Sequence, residues 1–314
     1  MDSGRETREG AYPRGAEAAR KSGAKATESG AGSAPDSRSL WMPGRSEVAE
    51  FRDLIRRFYA EHGRSFPWRE TDDEYEILVS ELMLQQTQTD RVLKKYRPFL
   101  DTFPDYRSLA DATTSGLLAM WQGLGYNRRA LGLREICRRV IEAGGSLPSD
   151  RETLLSYPMI GPGTAGSLRA FVFDIPSVFI ETNIRRVIIH YFFPERETVS
   201  DREILPVVEA VLDKGDPRHW YYALMDYGVQ LKKRLPNPNR RSTHYRRQAP
   251  FEGSNRQLRG RLLRDLVASP NGADYEELRV RYDVDPAALA SCLDGLEQEG
   301  FILREAGGSY RIKD

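Results

Sequence analysis

Apolar residues recur at helical spacing along most of the chain, and this periodicity limits the fold more than any other sequence feature. From Phe51 to Gly228 they repeat every three or four residues, and turn residues such as Gly144 and Gly145 separate the successive sets. Alternating strand patterns are scarce in this region. The sequence therefore predicts an all-α domain over residues 45–230.

The two ends of the chain differ from this central domain. Residues 1–44 are rich in Gly, Ala, Ser, Arg and Glu without apolar periodicity, which predicts a disordered leader. Residues 255–314 carry three helical patterns and then a hairpin pattern around Gly307 and Gly308, and this order resembles a winged-helix module. Such modules contact DNA in some proteins and protein in others, so both contacts remain open.

A basic linker, residues 231–254, joins the two folded parts. Between Lys232 and Arg247 it carries seven basic residues and no acid, although the net charge of the whole chain is only +1. Such a run is either a solvated loop or a phosphate-contacting surface. Arg240 and Arg241 are the candidate phosphate-binding residues within it.

Cysteine content and hydropathy narrow the cellular setting. The two cysteines, Cys137 and Cys292, match no metal-ligand spacing, and we expect neither a disulfide framework nor a metal site. No stretch approaches the roughly 18 apolar residues of a membrane span, and the first residues lack a secretory hydrophobic run. We expect a cytoplasmic, nucleoid-associated protein without membrane contact.

One acidic residue interrupts an apolar helical pattern. Glu81 lies among Leu78, Leu82 and Met83. Apolar surroundings favour the protonated carboxyl group, which suits a proton donor near neutral pH, whereas a Glu on the exposed side of an amphipathic helix is the alternative. The long polar side chains of Gln85–Gln88 are suited to fill the gap left by an extruded base.

The segment Leu155–Gly166 predicts two helices joined by a tight hairpin. Ser149 and Glu152 have capping-box spacing at the start of the first helix. The glycines of the hairpin allow close backbone approach to a ligand, and the first amides of the second helix favour an anion. The candidate phosphate-binding residues here are Gly161, Gly163 and Thr164.

A second carboxylate, Glu181, follows an apolar run and precedes Asn183. Beside a cleaved glycosidic bond, a carboxylate stabilises the positive charge on the departing sugar. Glu181 equally fits a helix N-cap or an ion pair with Arg185, and the spacing alone does not choose between these roles.

The ordered motifs resemble those of the MutY-like adenine DNA glycosylases, relatives of endonuclease III in the helix-hairpin-helix superfamily. The resemblance spans about Phe51 to Gly228, and its most specific motif is Ser-Glu-Leu-Met-Leu-Gln-Gln-Thr-Gln, residues 80–88. Gly-Leu-Gly-Tyr at 123–126 and the Thr-Ala-Gly hairpin at 164–166 add to it. The resemblance implies a glycosylase fold of two helical subdomains and a monomer that binds double-stranded DNA with a mispaired or damaged base.

The same resemblance implies roles for individual residues. Glu81 matches the catalytic acid, which protonates the purine ring and handles the water. Gln86 and Tyr126 match residues that wedge into the duplex around the flipped base, and Gln85 belongs to the same polar segment. Glu181 takes the place of the family's catalytic Asp, and Asn183 that of its neighbouring Asn in the pocket.

The chain departs from the family in three further places. The family's four cluster cysteines correspond to Lys232, Asn239, Ser242 and Gln248, so the resemblance predicts no [4Fe–4S] cluster and no other cofactor. The lysine of the bifunctional lyases corresponds to Gly163, which predicts a monofunctional enzyme. The winged-helix-like module replaces the family's C-terminal domain that recognises 8-oxoguanine.

Three functions remain open at this point. The first is excision of adenine opposite guanine or 8-oxoguanine. The alternatives are a thymine or uracil mismatch glycosylase on the same scaffold and a DNA-binding protein without catalysis. Glu81 argues against the last, because a scaffold without catalysis has no need of a carboxyl group in an apolar helix.

The purified protein is expected to be colourless and free of iron. A [4Fe–4S] cluster is held by four cysteine thiolates, and the chain has only two cysteines, far apart in sequence. The iron content of the folded protein is measured by elemental analysis, and a cluster is detected by its absorbance in the visible range. Stoichiometric iron with cluster absorbance would contradict the prediction.

Overall fold

The computed structural model describes residues 40–314, and the predicted leader therefore lies almost wholly outside the described residues. The described part contains fourteen α-helices and two β-strands. The helices are α1 (Arg45–His62), α2 (Glu74–Leu84), α3 (Thr89–Thr102), α4 (Tyr106–Ala110), α5 (Thr114–Trp121), α6 (Arg128–Glu142), α7 (Arg151–Ser156), α8 (Pro162–Val172), α9 (Thr182–Phe192), α10 (Asp201–Val211), α11 (Pro217–Arg234), α12 (Asn255–Val267), α13 (Tyr275–Tyr282) and α14 (Pro286–Gln298). The strands are β1 (Ile302–Arg304) and β2 (Tyr310–Ile312).

The mainly α prediction is confirmed, and the described chain forms two compact units. The first consists of residues 40–63, Ile180–Asp213 and His219–Tyr245, and the second of Arg64–Phe179, Lys214–Arg218 and Arg246–Asp314. The predicted domain limits at residues 230 and 254 stay predictions. Among the described helices, none has the length and apolar character that a membrane span requires.

The first unit is built around an aromatic cluster. Phe51 on α1 packs edge-on against Tyr191 and Phe192 of α9, with ring centroids 5.0 and 4.9 Å apart. Its ring also lies 6.1 Å from that of Trp220 on α11. Edge-to-face aromatic packing of this kind adds to the free energy gained by burying the rings, so three helices are joined at one point.

In the second unit, α2 is the central helix. Asp73 caps its first turn by accepting hydrogen bonds from the backbone amides of Tyr75 and Glu76 at 2.8 and 3.0 Å. None of its eleven residues is exposed, because α3, α6 and α8 pack around it. A helix that is covered on all sides needs no polar face, which explains the apolar runs Ile77–Val79 and Leu82–Leu84.

The predicted hairpin lies between α7 and α8, and its capping residue differs from the predicted one. Asp150, and not Ser149, caps α7 by accepting a hydrogen bond from the amide of Thr153 at 2.7 Å. The capping-box prediction was wrong because the helix begins one residue later, where Asp is an equally good cap. In the hairpin, Met159 adopts a left-handed conformation, with φ at 62°.

The C-terminal part of the second unit consists of α12, α13 and α14 followed by the β1–β2 hairpin. The strands pair antiparallel with Ile302 opposite Ile312, and Ala273 adds an isolated bridge to Tyr310. Leu118 of α5 joins the hydrophobic core of these helices. The order of elements agrees with the predicted order, while membership of the winged-helix class stays a prediction.

A buried arginine joins the end of α2 to the loop before α6. Arg129 is 3% exposed, and all seven of its hydrogen-bond acceptors are uncharged oxygens. Burial lowers the pKa of its guanidinium to about 10, so the group still carries its charge at neutral pH. The acceptors are the carbonyl oxygens of Leu82, Met83, Gln85, Leu124, Gly125 and Tyr126 and the hydroxyl of Thr87.

Arg129→Met is expected to lower the free energy of unfolding by about 3 kcal/mol or more, because it leaves several buried carbonyls without a donor. Arg129→Lys keeps the charge with fewer donors and is expected to lose less. Urea denaturation of the full chain measures both. As a control, Arg97→Met removes an exposed guanidinium whose ion pair with Asp101 joins residues four apart, and is expected to cost about 0.5 kcal/mol or less. Equal stability of the Arg129 and Arg97 variants would contradict this role.

Candidate active site

Glu81 lies in the covered helix α2 and is half-buried. Because α2 has no exposed residue, the alternative of a Glu on the solvent side of an amphipathic helix is wrong. Its Oε2 atom is 2.5 Å from the hydroxyl oxygen of Ser167 on α8. The structure therefore places the Glu81 carboxyl group in a covered helix with a hydroxyl partner, an arrangement compatible with a proton donor.

The hydroxyl of Ser167 has two possible acceptors. Besides Glu81, it lies 3.0 Å from the carbonyl oxygen of Thr164, one turn earlier in α8. A hydroxyl carries one proton, so it donates to the ionised Glu81 carboxylate. Once Glu81 is protonated, the carboxylic acid donates to Ser167, which turns its own proton to Thr164. Both protonation states of Glu81 are therefore satisfied without a change in the backbone.

Gln85 connects the end of α2 to the hairpin. Its side-chain amide donates to the carbonyl oxygen of Met159 at 3.0 Å and to the hydroxyl of Thr164 at 3.1 Å. Of the residues predicted to wedge into DNA, Gln85 is thus engaged within the protein. Its contacts position the hairpin against the helix that carries Glu81.

Gln86 and Tyr126 are the other two predicted wedge residues, and both are exposed. Each adopts a left-handed backbone conformation, with φ at 54° and 48°. Such a conformation is uncommon for residues other than glycine, and surrounding contacts must hold it. The Arg129 hydrogen bonds to both loops supply those contacts. Sequence reasoning missed Arg129, although it lies only three residues after the end of the Gly-Leu-Gly-Tyr motif.

The predicted phosphate-binding residues of the hairpin come together at the start of α8. Gly161 is its N-cap, Pro162 is its first residue, and Gly163 and Thr164 follow. Amides in the first turn of a helix have no carbonyl partner within that helix, and the helix dipole favours an anion there. Gly166 allows α8 to approach Phe179, since a Cβ atom at this position would lie 2.6 Å from the Phe179 side chain.

Glu181 caps α9 in the first unit. Its Oε2 accepts hydrogen bonds from the backbone amide and the side-chain amide of Asn183 at 2.7 and 3.3 Å. Its Oε1 is buried and has no hydrogen-bond partner within residues 40–314. Burial raises the pKa of Glu181, while the bonds from Asn183 and the charge of Arg186 oppose that rise.

Arg186, which sequence reasoning missed, fixes the orientation of Asn183. Its buried guanidinium donates to the Asn183 side-chain oxygen at 2.5 Å and to the carbonyl oxygen of Gly228 at 2.8 Å. It also donates to the side-chain oxygen of Asn237 at 3.1 Å. With its oxygen bound to Arg186, the Asn183 amide has to present its nitrogen to Glu181.

The predicted alternative of an ion pair between Glu181 and Arg185 is wrong. Arg185 instead binds Asp201 through two hydrogen bonds of 2.9 and 2.7 Å. The N-cap alternative does describe the position of Glu181, and a cap that leaves one buried oxygen unbound is also compatible with a catalytic role.

The two candidate arginines of the basic linker have different surroundings. Arg240 is exposed, whereas the Arg241 guanidinium donates to one backbone carbonyl in the last turn of α9 and to three in the segment that follows it. That engagement gives Arg241 a structural role, so Arg240 is the better placed of the two for a phosphate. The four carbonyls belong to Ile189, Phe193, Pro194 and Arg196.

The loop that corresponds to the family's cluster-binding segment is held by side-chain hydrogen bonds. Asn239 is buried and donates to the carbonyl oxygen of Thr182 at 2.8 Å, directly beside Glu181. Ser242 is also buried, and its backbone forms a parallel bridge with Val199. Ordinary polar contacts therefore join this loop to the start of α9.

Comparison with known proteins identifies relatives of this arrangement. Residues 79–206 match the family model described as HhH-GPD superfamily base excision DNA repair protein. An adenine DNA glycosylase of Mycolicibacterium smegmatis is 30% identical over 274 residues, which cover 81% of this chain and 93% of the relative.

Solved structures of DNA glycosylases and of endonuclease III resemble the fold of this chain. A thermostable thymine-DNA glycosylase is 25% identical, with a TM-score of 0.52, over 59% of this chain and 87% of its own. An endonuclease III in a non-covalent DNA complex shares the fold at 17% identity and a TM-score of 0.53, over 62% of this chain and 91% of its own. The predicted helix-hairpin-helix glycosylase fold is confirmed. The chain belongs to the HhH-GPD superfamily of base excision DNA repair proteins and, within it, to the adenine DNA glycosylase family.

Proposed function

We propose that this chain is a monofunctional DNA glycosylase that removes adenine mispaired with guanine or 8-oxoguanine. The observation that carries the proposal is Glu81, a half-buried carboxyl group in a helix without an exposed residue, paired with the Ser167 hydroxyl. The name of the mycobacterial relative, adenine DNA glycosylase, supports adenine as the base.

In the proposed reaction, Glu81 donates its proton to a ring nitrogen of the flipped adenine. Protonation makes the base a better leaving group, and the glycosidic bond breaks with its electron pair moving to the base. The Glu81 carboxylate that remains is stabilised by the Ser167 proton. It then accepts a proton from the water that adds to the sugar, which restores the acid.

Glu181 has the second role in this reaction. The sugar carries positive charge as the base departs, and a fixed carboxylate nearby favours that transition state over the neutral substrate. The Asn183 and Arg186 contacts fix the Glu181 side chain before substrate binds.

The proposed enzyme has no lyase activity. Lyase chemistry requires an amine that attacks the sugar carbon, and Gly163 supplies none. The segments Glu74–Leu84 and Gly161–Val172, which carry Glu81 and Ser167, contain no lysine. The expected product is therefore an intact abasic strand that breaks only after alkali or heat. We also expect a monomer that acts on nucleoid DNA in the cytoplasm.

A thymine substrate is the second candidate, because one solved structure with this fold is named a thymine-DNA glycosylase. The two functions differ in the base that leaves, so one panel of duplexes distinguishes them. The panel contains adenine opposite guanine, adenine opposite 8-oxoguanine, and thymine or uracil opposite guanine.

Glu81→Gln is expected to lower the single-turnover rate of adenine excision by about 10²- to 10⁴-fold, the usual range for a general acid, with DNA affinity retained. The amide keeps the shape of the side chain and lacks the proton. The rates are measured on the duplex panel with alkaline cleavage of the product. Borohydride treatment is expected to trap no protein–DNA adduct.

Glu76→Gln is the matched control, since Glu76 lies on the same helix one turn from the N-cap. It is expected to excise adenine at the wild-type rate. A wild-type chain that removes thymine and not adenine would contradict the substrate. An active Glu81→Gln variant would contradict the proposed acid.

Glu181→Gln is expected to lose about 10²- to 10³-fold in single-turnover rate while its melting temperature stays within a few degrees of wild type. The ionised carboxylate is the active form, so the wild-type rate should fall as the pH drops through the raised pKa of Glu181. This acid limb should be absent from the Gln variant. Rates measured across a pH series test both statements.

Glu203→Gln provides the contrast, because Glu203 forms a capping box with Ser200 at the start of α10. It is expected to lower the melting temperature and leave the excision rate unchanged. If Glu181→Gln behaves like Glu203→Gln, Glu181 is only a cap.

A further inference from the structure

The hairpin between α7 and α8 contains a strained residue that the proposed chemistry does not use. Met159 adopts a left-handed backbone conformation, with φ at 62°, in the turn that leads into the candidate phosphate-binding residues at the start of α8. Glycine adopts this conformation without cost, whereas any side chain makes it unfavourable. The contacts that Met159 makes must therefore offset the strain.

A gap in the surface of α6 receives the Met159 side chain. Gly132 of α6 is buried, and a Cβ atom at this position would lie 2.4 Å from Cγ and 3.7 Å from the sulfur of Met159. The contact therefore depends on a glycine at 132, because a Cβ atom that close would overlap the methionine. The backbone of Met159 is held as well, since its carbonyl oxygen accepts a hydrogen bond from Gln85 at 3.0 Å. The hairpin is thus joined to α6 by the Met159 side chain and to the end of α2 by its carbonyl.

The same side chain is accessible to small molecules in solution. Met159 is 40% exposed and lines a cleft beside the turn after α2. Among the methionines of residues 40–314, the other exposed one is Met42, which lies in the first unit and is 46% exposed. Met83, Met120 and Met225 are buried or half-buried. A dissolved oxidant therefore reaches the thioethers of Met42 and Met159 most readily, and of these only Met159 belongs to the hairpin.

The two thiols of the chain are much less open to oxidation. Cys137 and Cys292 are both buried. Burial raises the pKa of the Cys137 thiol to about 12 and that of the Cys292 thiol to about 11. Peroxides react with the thiolate, which is scarce at neutral pH when the pKa is this high. Oxidation by a peroxide is therefore directed to the exposed thioethers.

We infer that Met159 is a site of reversible oxidation by hydrogen peroxide, and that its sulfoxide binds DNA more weakly than the thioether. A sulfur lone pair forms an S–O bond to one peroxide oxygen while the O–O bond breaks. The other oxygen leaves with both hydrogens as water, so sulfur is oxidised and the peroxide is reduced. Methionine sulfoxide reductases reverse this step with two thiols, which become a disulfide as the oxygen leaves in water. The inference rests on the proposed function, because it takes the hairpin as a DNA-binding element.

The sulfoxide does not suit the contact with Gly132. The added oxygen enlarges the sulfur group and gives it a strong dipole, which favours water over close contact with a buried helix surface. Once the side chain leaves the gap in α6, nothing offsets the left-handed strain of Met159, and its carbonyl moves away from Gln85 as the backbone relaxes. The phosphate-binding residues that follow lose their fixed position. DNA binding then has to order the hairpin again, which lowers the affinity.

The test measures the affinity of the full-length protein for a duplex that carries a tetrahydrofuran abasic analogue opposite guanine, before and after treatment with hydrogen peroxide. Mass spectrometry identifies the methionines that carry an added oxygen. The oxidised wild type should bind about 4-fold more weakly or worse, the equivalent of one lost methylene contact. Methionine sulfoxide reductase with a dithiol should restore the affinity. Met159→Gln, which has a polar side chain of similar length, should bind weakly without oxidation.

Met159→Leu has no sulfur, so its affinity should be the same before and after peroxide treatment. Met42→Leu is the matched control, since it removes the other exposed thioether. It should lose affinity on treatment as the wild type does. The inference is wrong if peroxide leaves Met159 unmodified, if the Met159 sulfoxide binds as tightly as the thioether, or if Met159→Leu also loses affinity. The affinity of the untreated protein tests DNA binding separately, and no base is excised in this assay.

Discussion

The surroundings of the candidate acid depend on the hydrogen bonds of Arg129. The last carbonyls of α2 lie at the negative end of that helix dipole and have no amide partner within the helix. The buried guanidinium of Arg129 donates to three carbonyls at this helix end, those of Leu82, Met83 and Gln85. Its remaining N–H groups donate to the loop that ends in Tyr126, for example to the carbonyl oxygen of Gly125. Because five N–H groups in one plane serve both segments, the left-handed conformations of Gln86 and Tyr126 are fixed together. A lysine has too few donors for this arrangement.

Arginine side chains also donate hydrogen bonds to the carbonyls at the ends of other helices in this protein. Arg52 of α1 donates to the carbonyl oxygens of Ala210, Val211 and Leu212 at the end of α10. Arg241 does so at the end of α9, and Arg138 donates to the carbonyl oxygen of Ala110, the last residue of α4. In each case a cation from another element meets the negative end of a helix dipole. Arg241 therefore belongs to a set of arginines that bind helix ends, although it lies in the basic run from Lys232 to Arg247.

The sequence was informative where local spacing determines structure. Helical periodicity predicted the mainly α fold, and the apolar neighbours of Glu81 predicted its environment, because α2 is covered on every side. The hydrogen-bond partners of the site residues could not be predicted from the sequence, since Ser167 and Arg186 meet their partners through tertiary contacts that leave no periodic pattern. The choice of Ser149 as a cap failed for a related reason, as Asp150 has the same capping chemistry one residue later. Arg241 looked like its exposed neighbours in the basic run because composition carries no information about side-chain direction.

Glu181 shows how stability and the proposed chemistry meet in one residue. Aspartate and the small hydroxyl and amide residues are the usual N-caps, and the extra methylene of Glu lets Oε2 cap α9 while Oε1 remains a separate group. A buried oxygen without a donor destabilises the folded protein by roughly 1 to 3 kcal/mol. A hydrogen bond from a protein donor to Oε1 would remove this cost. It would also weaken the attraction between Oε1 and the cationic sugar that this oxygen is proposed to face. An unsatisfied oxygen is what the proposed role requires, because the positive charge that it would meet exists only in the transition state.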